Sequence, residues 1–255
     1  MSTRPASALM VARAMAWAEV QGEASVNPCG GDARRRLRCR DVTTLGTVSG
    51  TTGVFIAFEG GEGAGKSSRA RTLAQRLRAG GHEVVLTHEP GDTRIGPQVR
   101  HIVLDVSSEG LDPRAEALLY SADRAEHVGS VVRPALDRGA VVVTDRYVDS
   151  SLAYQGVGRG LGVDAIVRLS AFATGGLVPH LTVVLDVPAS IGRSRLAGPA
   201  DRLEGEPDAF HERVRQAFLD LAAASPHRYL VVDATLPVEH VDAAVLDRVK
   251  ELGLP

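Results

Sequence analysis

Residues 60 to 68 read Gly60, Gly61, Glu62, Gly63, Ala64, Gly65, Lys66, Ser67, Ser68. The first eight fit the G-x-x-x-x-G-K-[ST] spacing of a loop that cradles phosphate. Glycines let successive backbone N–H groups turn inward without side-chain clashes. Those donors, with the positive end of the helix that follows, form a site for phosphate oxygens. Lys66 would reach the outer phosphates of a bound nucleoside triphosphate, and the Ser67 hydroxyl would ligate Mg²⁺. Eight-residue patterns arise by chance, so the flanks decide. A strand-like run at 54–58 precedes the loop, and residues 66–77 place apolar side chains near helical spacing.

A second cluster, Asp145-Arg146-Tyr147, follows the apolar run at 141–144. In an open α/β sheet, ligands sit beyond the carboxyl ends of the strands, where this triplet would emerge. Asp145 can hold Mg²⁺ directly or through water, and Arg146 can neutralise phosphate charge. The plain alternative is a strand-end ion pair with no ligand. A phosphate loop on an earlier strand favours the functional reading.

The elements that must position these groups follow from hydrophobic patterning. Strands are expected at 54–58, 83–87, 140–145, 181–187 and 229–232, four of them continuous apolar runs, as in strands buried on both faces. Helix-like segments alternate with them, which predicts a five-stranded parallel sheet with helices on both faces. Asp112 and Pro113 supply an N-cap and an N1 proline for a helix running toward Val128. Gly175-Gly176 stops a helix that begins near Asp164. Phe210, Val214, Phe218 and Leu221 share a face of a long helix after residue 206. Pro237 opens the last helix, with Val241, Val245, Val249 and Leu252 on one stripe.

Composition narrows the classes. The 255 residues carry 44% hydrophobic and 24% charged side chains and a net charge of −2. That balance gives no general attraction to nucleic acid or to an anionic membrane surface. No apolar run approaches bilayer length. Two cysteines, Cys29 and Cys39, make neither a disulfide framework nor a four-ligand metal site. The simplest placement is cytoplasmic.

Residues 1–50 differ from the rest. All three methionines, both cysteines and Trp17 lie there, with a basic run at Arg34, Arg35, Arg36, Arg38 and Arg40. Lacking interleaved aromatics, the run reads as a disordered extension. Residues 43–53, rich in Thr, Gly and Ser, read as a linker to a catalytic domain at 51–255. This contrast suggests translation starting near Val48 at a non-AUG codon; N-terminal sequencing that finds Met1 or Ser2 would rule that out.

The third strand continues into Ser150-Ser151-Leu152-Ala153-Tyr154-Gln155. With Phe55, Phe58-Glu59-Gly60, Gly65-Lys66-Ser67-Ser68, and Pro179 ahead of Leu181-Thr182 and Leu185-Asp186-Val187, the chain resembles bacterial thymidylate kinase over 53–252. The resemblance implies the nucleoside-monophosphate kinase fold, Mg²⁺-dependent transfer of the ATP γ-phosphate to dTMP, and a homodimer. It implies that Glu62 contacts the deoxyribose 3′-hydroxyl and that Arg146 bridges the acceptor phosphate and the transferred group. Tyr120 would stack on thymine and Arg124, four residues on, would bond its O4. Ser151 would lie near the thymine N3 edge, and Tyr154 would crowd the 2′ position. Gln155 is a nearby family position whose role is left open. Arg100 would sit near the acceptor phosphate.

Two departures stand out. His88 and Asp92 replace an arginine and a glycine in the family's Arg-Glu-Pro-Gly-Gly-Thr turn, which puts a phosphate contact from position 88 in doubt at neutral pH. Residues 191–204 occupy the family's lid, where Ala197 stands at a position that related lids often give to arginine. Arg193, Arg195 and Arg202 remain, and Arg195 and Arg202 are the favoured catalytic pair. Other readings are a kinase for another nucleoside monophosphate or a deoxynucleoside, a P-loop ATPase or GTPase switch, and a catalytically dead binding module. No Asn-Lys-x-Asp guanine motif appears, and the third strand ends in Asp-Arg rather than Asp-Glu. Intact Lys66, Ser67, Asp145 and Arg146 oppose the dead module.

Overall fold

A computed structural model describes residues 52–255; the features expected of residues 1–50 lie outside them. Five parallel strands form one sheet: β1 (Val54–Glu59), β2 (Val84–His88), β3 (Val141–Asp145), β4 (Leu181–Asp186) and β5 (Tyr229–Asp233). The order across the sheet is β2-β3-β1-β4-β5, so β1 is central, paired to β3 and β4. The outer strands β2 and β5 are the less buried ones, as edge positions require. All five expected strands form, with ends displaced by one residue or so.

Among the described residues, nine helices alternate with the strands: α1 (Lys66–Ala79), α2 (Gly96–Leu104), α3 (Pro113–His127), α4 (Arg133–Asp137), α5 (Val148–Ser151), α6 (Val163–Thr174), α7 (Ala189–Ser194), α8 (Asp208–Ala224) and α9 (Val238–Lys250). Side chains alternate across the strands into two apolar layers. Ile56, Phe58, Val141, Val143, Val183 and Leu185 pack under α1 and α9 through Leu73, Leu77, Val241, Val245 and Val249. On the other face Phe55, Ala57 and Val142 meet Val132 and Leu136, while Val184 joins Phe210, Val214, Phe218 and Leu221 of α8.

Local punctuation works as the residue types require. Asp112 caps α3 by accepting from Arg114 N–H at 2.8 Å, and Gly175 ends α6 in the left-handed region at φ 58. The helix expected to run toward Val128 ends at His127, and π-type turns at Val128–Val132, with Val128 and Val132 buried, lead on into α4. One expectation needs correction. Leu252 lies beyond the end of α9, although it still packs on the core. Among the described residues no helix is long and apolar enough to cross a membrane.

All five strands end in a polar residue at the same edge of the sheet: Glu59, His88, Asp145, Asp186 and Asp233. Parallel pairing forces these ends together, and that edge carries the site.

Candidate active site

The loop from β1 to α1 is shaped by close backbone approaches. A Cβ on Gly60 (φ 136) would lie 2.5 Å from the Leu185 carbonyl oxygen. One on Gly63 (φ 67) would lie 1.9 Å from the Gly192 carbonyl oxygen. Lys66 is buried at the start of α1 and donates from Nζ to the carbonyls of Gly60 (3.1 Å) and Gly61 (2.7 Å). Burial, then Arg146, pulls its pKa down against the nearby Glu62, Asp145 and Glu59. The two loop carbonyls hold the Lys66 amine inside the loop instead of in solvent.

Ser67 donates its hydroxyl to Asp145 Oδ2, while Asp145 Oδ1 is buried with no hydrogen-bond partner in the structure. A buried acceptor without a partner is costly, and a cation there would relieve it. No cluster of three or more His, Cys, Asp or Glu side chains suited to a metal exists among the described residues. One hydroxyl and one carboxylate fit Mg²⁺, which keeps several waters and binds substrate phosphates rather than an all-protein cage.

Arg146 is the non-glycine residue with positive φ among those described, at 71°. Such a conformation costs about 1–2 kcal/mol. The turn is held from both ends: Arg146 N–H donates to Phe58 O at 2.9 Å, and Thr144 Oγ1 donates to Arg146 O at 2.9 Å. Its guanidinium donates to Glu62 Oε1 at 2.6 Å and Ser150 Oγ at 3.2 Å, over the ring of Tyr154 at 5.3 Å. Tyr154 donates its hydroxyl to the same Glu62 oxygen at 2.8 Å. Burial raises the Glu62 pKa, but Arg146 and Lys66, with those two hydrogen bonds, outweigh it and bring it to about 2. Glu62 is therefore an anion that ties the phosphate loop to Arg146 and Tyr154.

Glu59, whose side chain the sequence reading used only as part of a motif, organises the same turn. It accepts from Tyr147 N–H (2.8 Å), Ser150 N–H (3.1 Å) and Ser150 Oγ (2.6 Å). Burial, with Asp149 nearby, pushes its pKa from 4.5 up to about 8, against the Ser150 hydrogen bond and Arg146. A carboxyl raised on folding favours the native state below its unfolded pKa and loses that contribution as pH rises through the folded value. Wild-type stability is accordingly expected to decline between about pH 4.5 and about pH 8, and Glu59→Gln to flatten that decline. Chemical denaturation at a series of pH values checks this; identical slopes would count against it.

Two cavities meet here. A cleft of about 950 Å³ runs along the loop past Lys66, Ser67, Asp145, Arg195 and Ala234. A smaller pocket of about 110 Å³ is lined by Tyr120, Ser151, Tyr154 and Gln155, with Asp201, Leu203 and Glu204. Glu62, Arg100 and Arg146 line both. Arg100 also donates to Pro90 O at 3.0 Å. Tyr154 packs edge-on against Phe210 and Phe218 and turns its hydroxyl toward Glu62.

Arg124 lies beneath the pocket and is 1% exposed. It donates to Glu89 Oε2 (2.7 Å), Ser151 Oγ (3.0 Å) and Tyr147 O (3.0 Å). The buried Glu89 carboxylate, also bonded to His127 Nδ1 at 2.8 Å, draws the guanidinium inward. Arg124 meets the pocket through Ser151. His88 lines the cleft, half-exposed, with Asp92 Oδ2 at 3.8 Å from its Nδ1.

The three arginines of 191–204 separate. Arg195 lines the cleft and donates to Ala234 O at 3.0 Å. Arg193 pairs with Asp208. Arg202 is not brought to the phosphate loop. It donates to Val103 O at 2.9 and 2.7 Å and to Glu116 Oε2 at 2.6 Å, because the buried Glu116 carboxylate captures it. Sequence reasoning gave no separate role to the side chains of Glu59, Glu89 and Glu116 or to Gly192. The first two carried a signal, an acid at or just past a strand end. The other two carried none.

A phosphate loop on the central strand, an Asp–Arg turn on its neighbour and an abutting pocket define a nucleoside-monophosphate kinase, a phosphotransferase of the P-loop class. A family model described as Thymidylate kinase matches residues 58–245. A thymidylate kinase of Clavibacter michiganensis is 55% identical over 204 residues, covering 79% of this chain and 96% of that protein. One of Deinococcus radiodurans is 52% identical over 203 residues, covering 79% and 98%. The crystal structure of thymidylate kinase from Ehrlichia chaffeensis superposes with a TM-score of 0.64 at 32% identity, over 77% of this chain and 98% of that one. The chain belongs to the thymidylate kinase family.

Proposed function

We propose that this chain transfers the γ-phosphate of ATP to dTMP, giving dTDP and ADP, with Mg²⁺ held by Ser67 and Asp145. The observation that carries the reading is the shared wall of the two cavities, Glu62, Arg100 and Arg146. A triphosphate along the loop and a monophosphate entering from the pocket would meet end-on there, which in-line transfer requires. Gly60 to Ser68 would cradle the donor phosphates, Lys66 would reach the outer ones, and Arg146 would lie between donor and acceptor. Of the arginines in the lid, 191–204, Arg195, which lines the cleft, would face the donor. Bound Mg²⁺ would supply charge neutralisation on the phosphate oxygens.

On the acceptor side, Tyr120 would stack on the base, Ser151, backed by Arg124, would face its polar edge, and Gln155 would line the same wall. Tyr154 would fill the 2′ side of the sugar, with Glu62 on its 3′-hydroxyl and Arg100 near the phosphate. The same reading takes residues 51–255 as the catalytic unit of a cytoplasmic homodimer. Leu118 (57% exposed) and Phe172 (90%), on the mutually packed α3 and α6, offer apolar surface to a second copy.

A coupled ADP-release assay with dTMP, dUMP, dCMP and AMP as acceptors tests the assignment. dTMP is expected to turn over fastest. Faster turnover of dCMP or AMP would overturn it, and ATP hydrolysis indifferent to dTMP would point to an ATPase or switch.

A further inference from the structure

A buried carboxylate is central to the contacts that fasten the turn at 201–206 to the body of the protein. Glu116, in the first turn of α3 and fully buried, accepts from Arg202 Nη2 at 2.6 Å, Gln155 Nε2 at 2.8 Å and Arg159 Nε at 3.3 Å. Arg202 also donates twice to the Val103 carbonyl, and its own N–H reaches Leu104 O at 3.0 Å. Arg159 spans from Glu116 to Glu206, closing the far end of the turn. Within the turn, Asp201 Oδ1 accepts from the N–H groups of Leu203 (2.8 Å) and Glu204 (2.9 Å), and Glu204 Oε2 accepts from Asp201 N–H (3.0 Å).

The turn is thus stiff in itself, and the side chains that hold it, Arg202 and Arg159, converge on Glu116. That anchor places Asp201, Leu203 and Glu204 on the wall of the small pocket that also holds Tyr120 and Gln155. Glu116 sets both sides at once: Gln155 through one oxygen and Arg202 through the other. None of its partners is Lys66, Ser67, Asp145 or Arg146.

We propose that Glu116 and Arg202 are positioning residues for the acceptor, a latch that sets the 201–206 turn over the nucleoside pocket. The inference rests on reading that pocket as the acceptor site. Arg202 then acts on acceptor affinity and does not touch the phosphoryl group in flight. Removing either member of a charge-assisted buried pair is costly even though Glu116 keeps Gln155 and Arg159 and Arg202 keeps the Val103 carbonyl, and the loosened turn would no longer cover the bound nucleoside.

Steady-state kinetics on Arg202→Met, Glu116→Gln, their double variant and Arg202→Lys test this. Acceptor KM is expected to rise about tenfold or more in each of the first two, with kcat within about threefold and ATP KM within about twofold of wild type. The double variant should be little worse than either single one, because both remove the same interaction. Arg202→Lys should recover part of the affinity by restoring a cation. Calorimetric titration of dTMP into each folded variant without ATP should show the same loss. A kcat loss of about a hundredfold at unchanged acceptor KM would overturn the proposal, since that marks a group acting in the transition state. So would additive effects in the double variant, or a parallel rise in both KM values. Glu116→Gln is isosteric and decides between these outcomes should Arg202→Met not fold. The split is read with whichever acceptor the wild type uses best. A preference for another monophosphate would overturn the dTMP assignment and leave the latch standing.

Discussion

Arg146→Gly is expected to lower kcat by on the order of 10³-fold at saturating ATP and dTMP, with far less effect on thermal stability. Glycine is the informative replacement because Arg146 sits at φ 71. Glycine accepts that conformation without strain, so the backbone between β3 and α5 keeps its course and only the guanidinium is lost. Removing it leaves Glu62 with Tyr154 and Lys66 as companions, and Arg100 as the cation remaining on the wall that the two cavities share. Relief of backbone strain and loss of the Glu62 pair oppose each other in stability; nothing opposes the loss at the transferring phosphoryl group. Arg146→Lys, which keeps charge but not the fork of donors, should fall between. Measured kcat values within tenfold of wild type for the glycine variant would exclude Arg146 from the transfer step.

Gly192→Val should cost on the order of a hundredfold in kcat/KM for both substrates, although Gly192 touches neither proposed substrate subsite through a side chain. A Cβ at Gly192 would lie 2.2 Å from the Glu62 carbonyl oxygen, and one at Gly63 would lie 1.9 Å from the Gly192 carbonyl. Backbone of α7 and backbone of the phosphate loop therefore rest directly on each other. A valine there must move the Glu62 peptide, and with it the carboxylate that holds Arg146 and Tyr154. A displacement of about 1 Å at such a site is enough for a loss of that size. Gly129→Val is the control, since no atom lies within 4 Å of a Cβ there and its φ is not positive. Wild-type kinetics in Gly192→Val would show that the contact does not set the loop.

The parts legible in the sequence were those encoded by short stretches. Apolar runs, continuous in four of the five, located the strands, because a strand buried on both faces needs no polar side chain until it ends. Gly60 to Ser67 declared itself because a phosphate cradle is built from consecutive backbone amides. The capping of α3 by Asp112 and the stop of α6 at Gly175 were equally local. Tyr120, Ser151, Tyr154 and Gln155 could be proposed as one site through family resemblance, and they line one pocket.

What the chain order could not convey was which charges would capture one another. Arg195 and Arg202 lie seven positions apart in one basic segment, yet one faces the cleft and the other is locked to Glu116, 86 positions away. Arg124 was expected at a base edge, and its guanidinium is paired with the buried Glu89 carboxylate. The sequence by itself determined the sheet and the phosphate loop, since periodicity and turn chemistry act between neighbours along the chain. Only the tertiary structure decided the partner of each buried ion, because a desolvated charge must find its counter-ion wherever the fold brings one within reach.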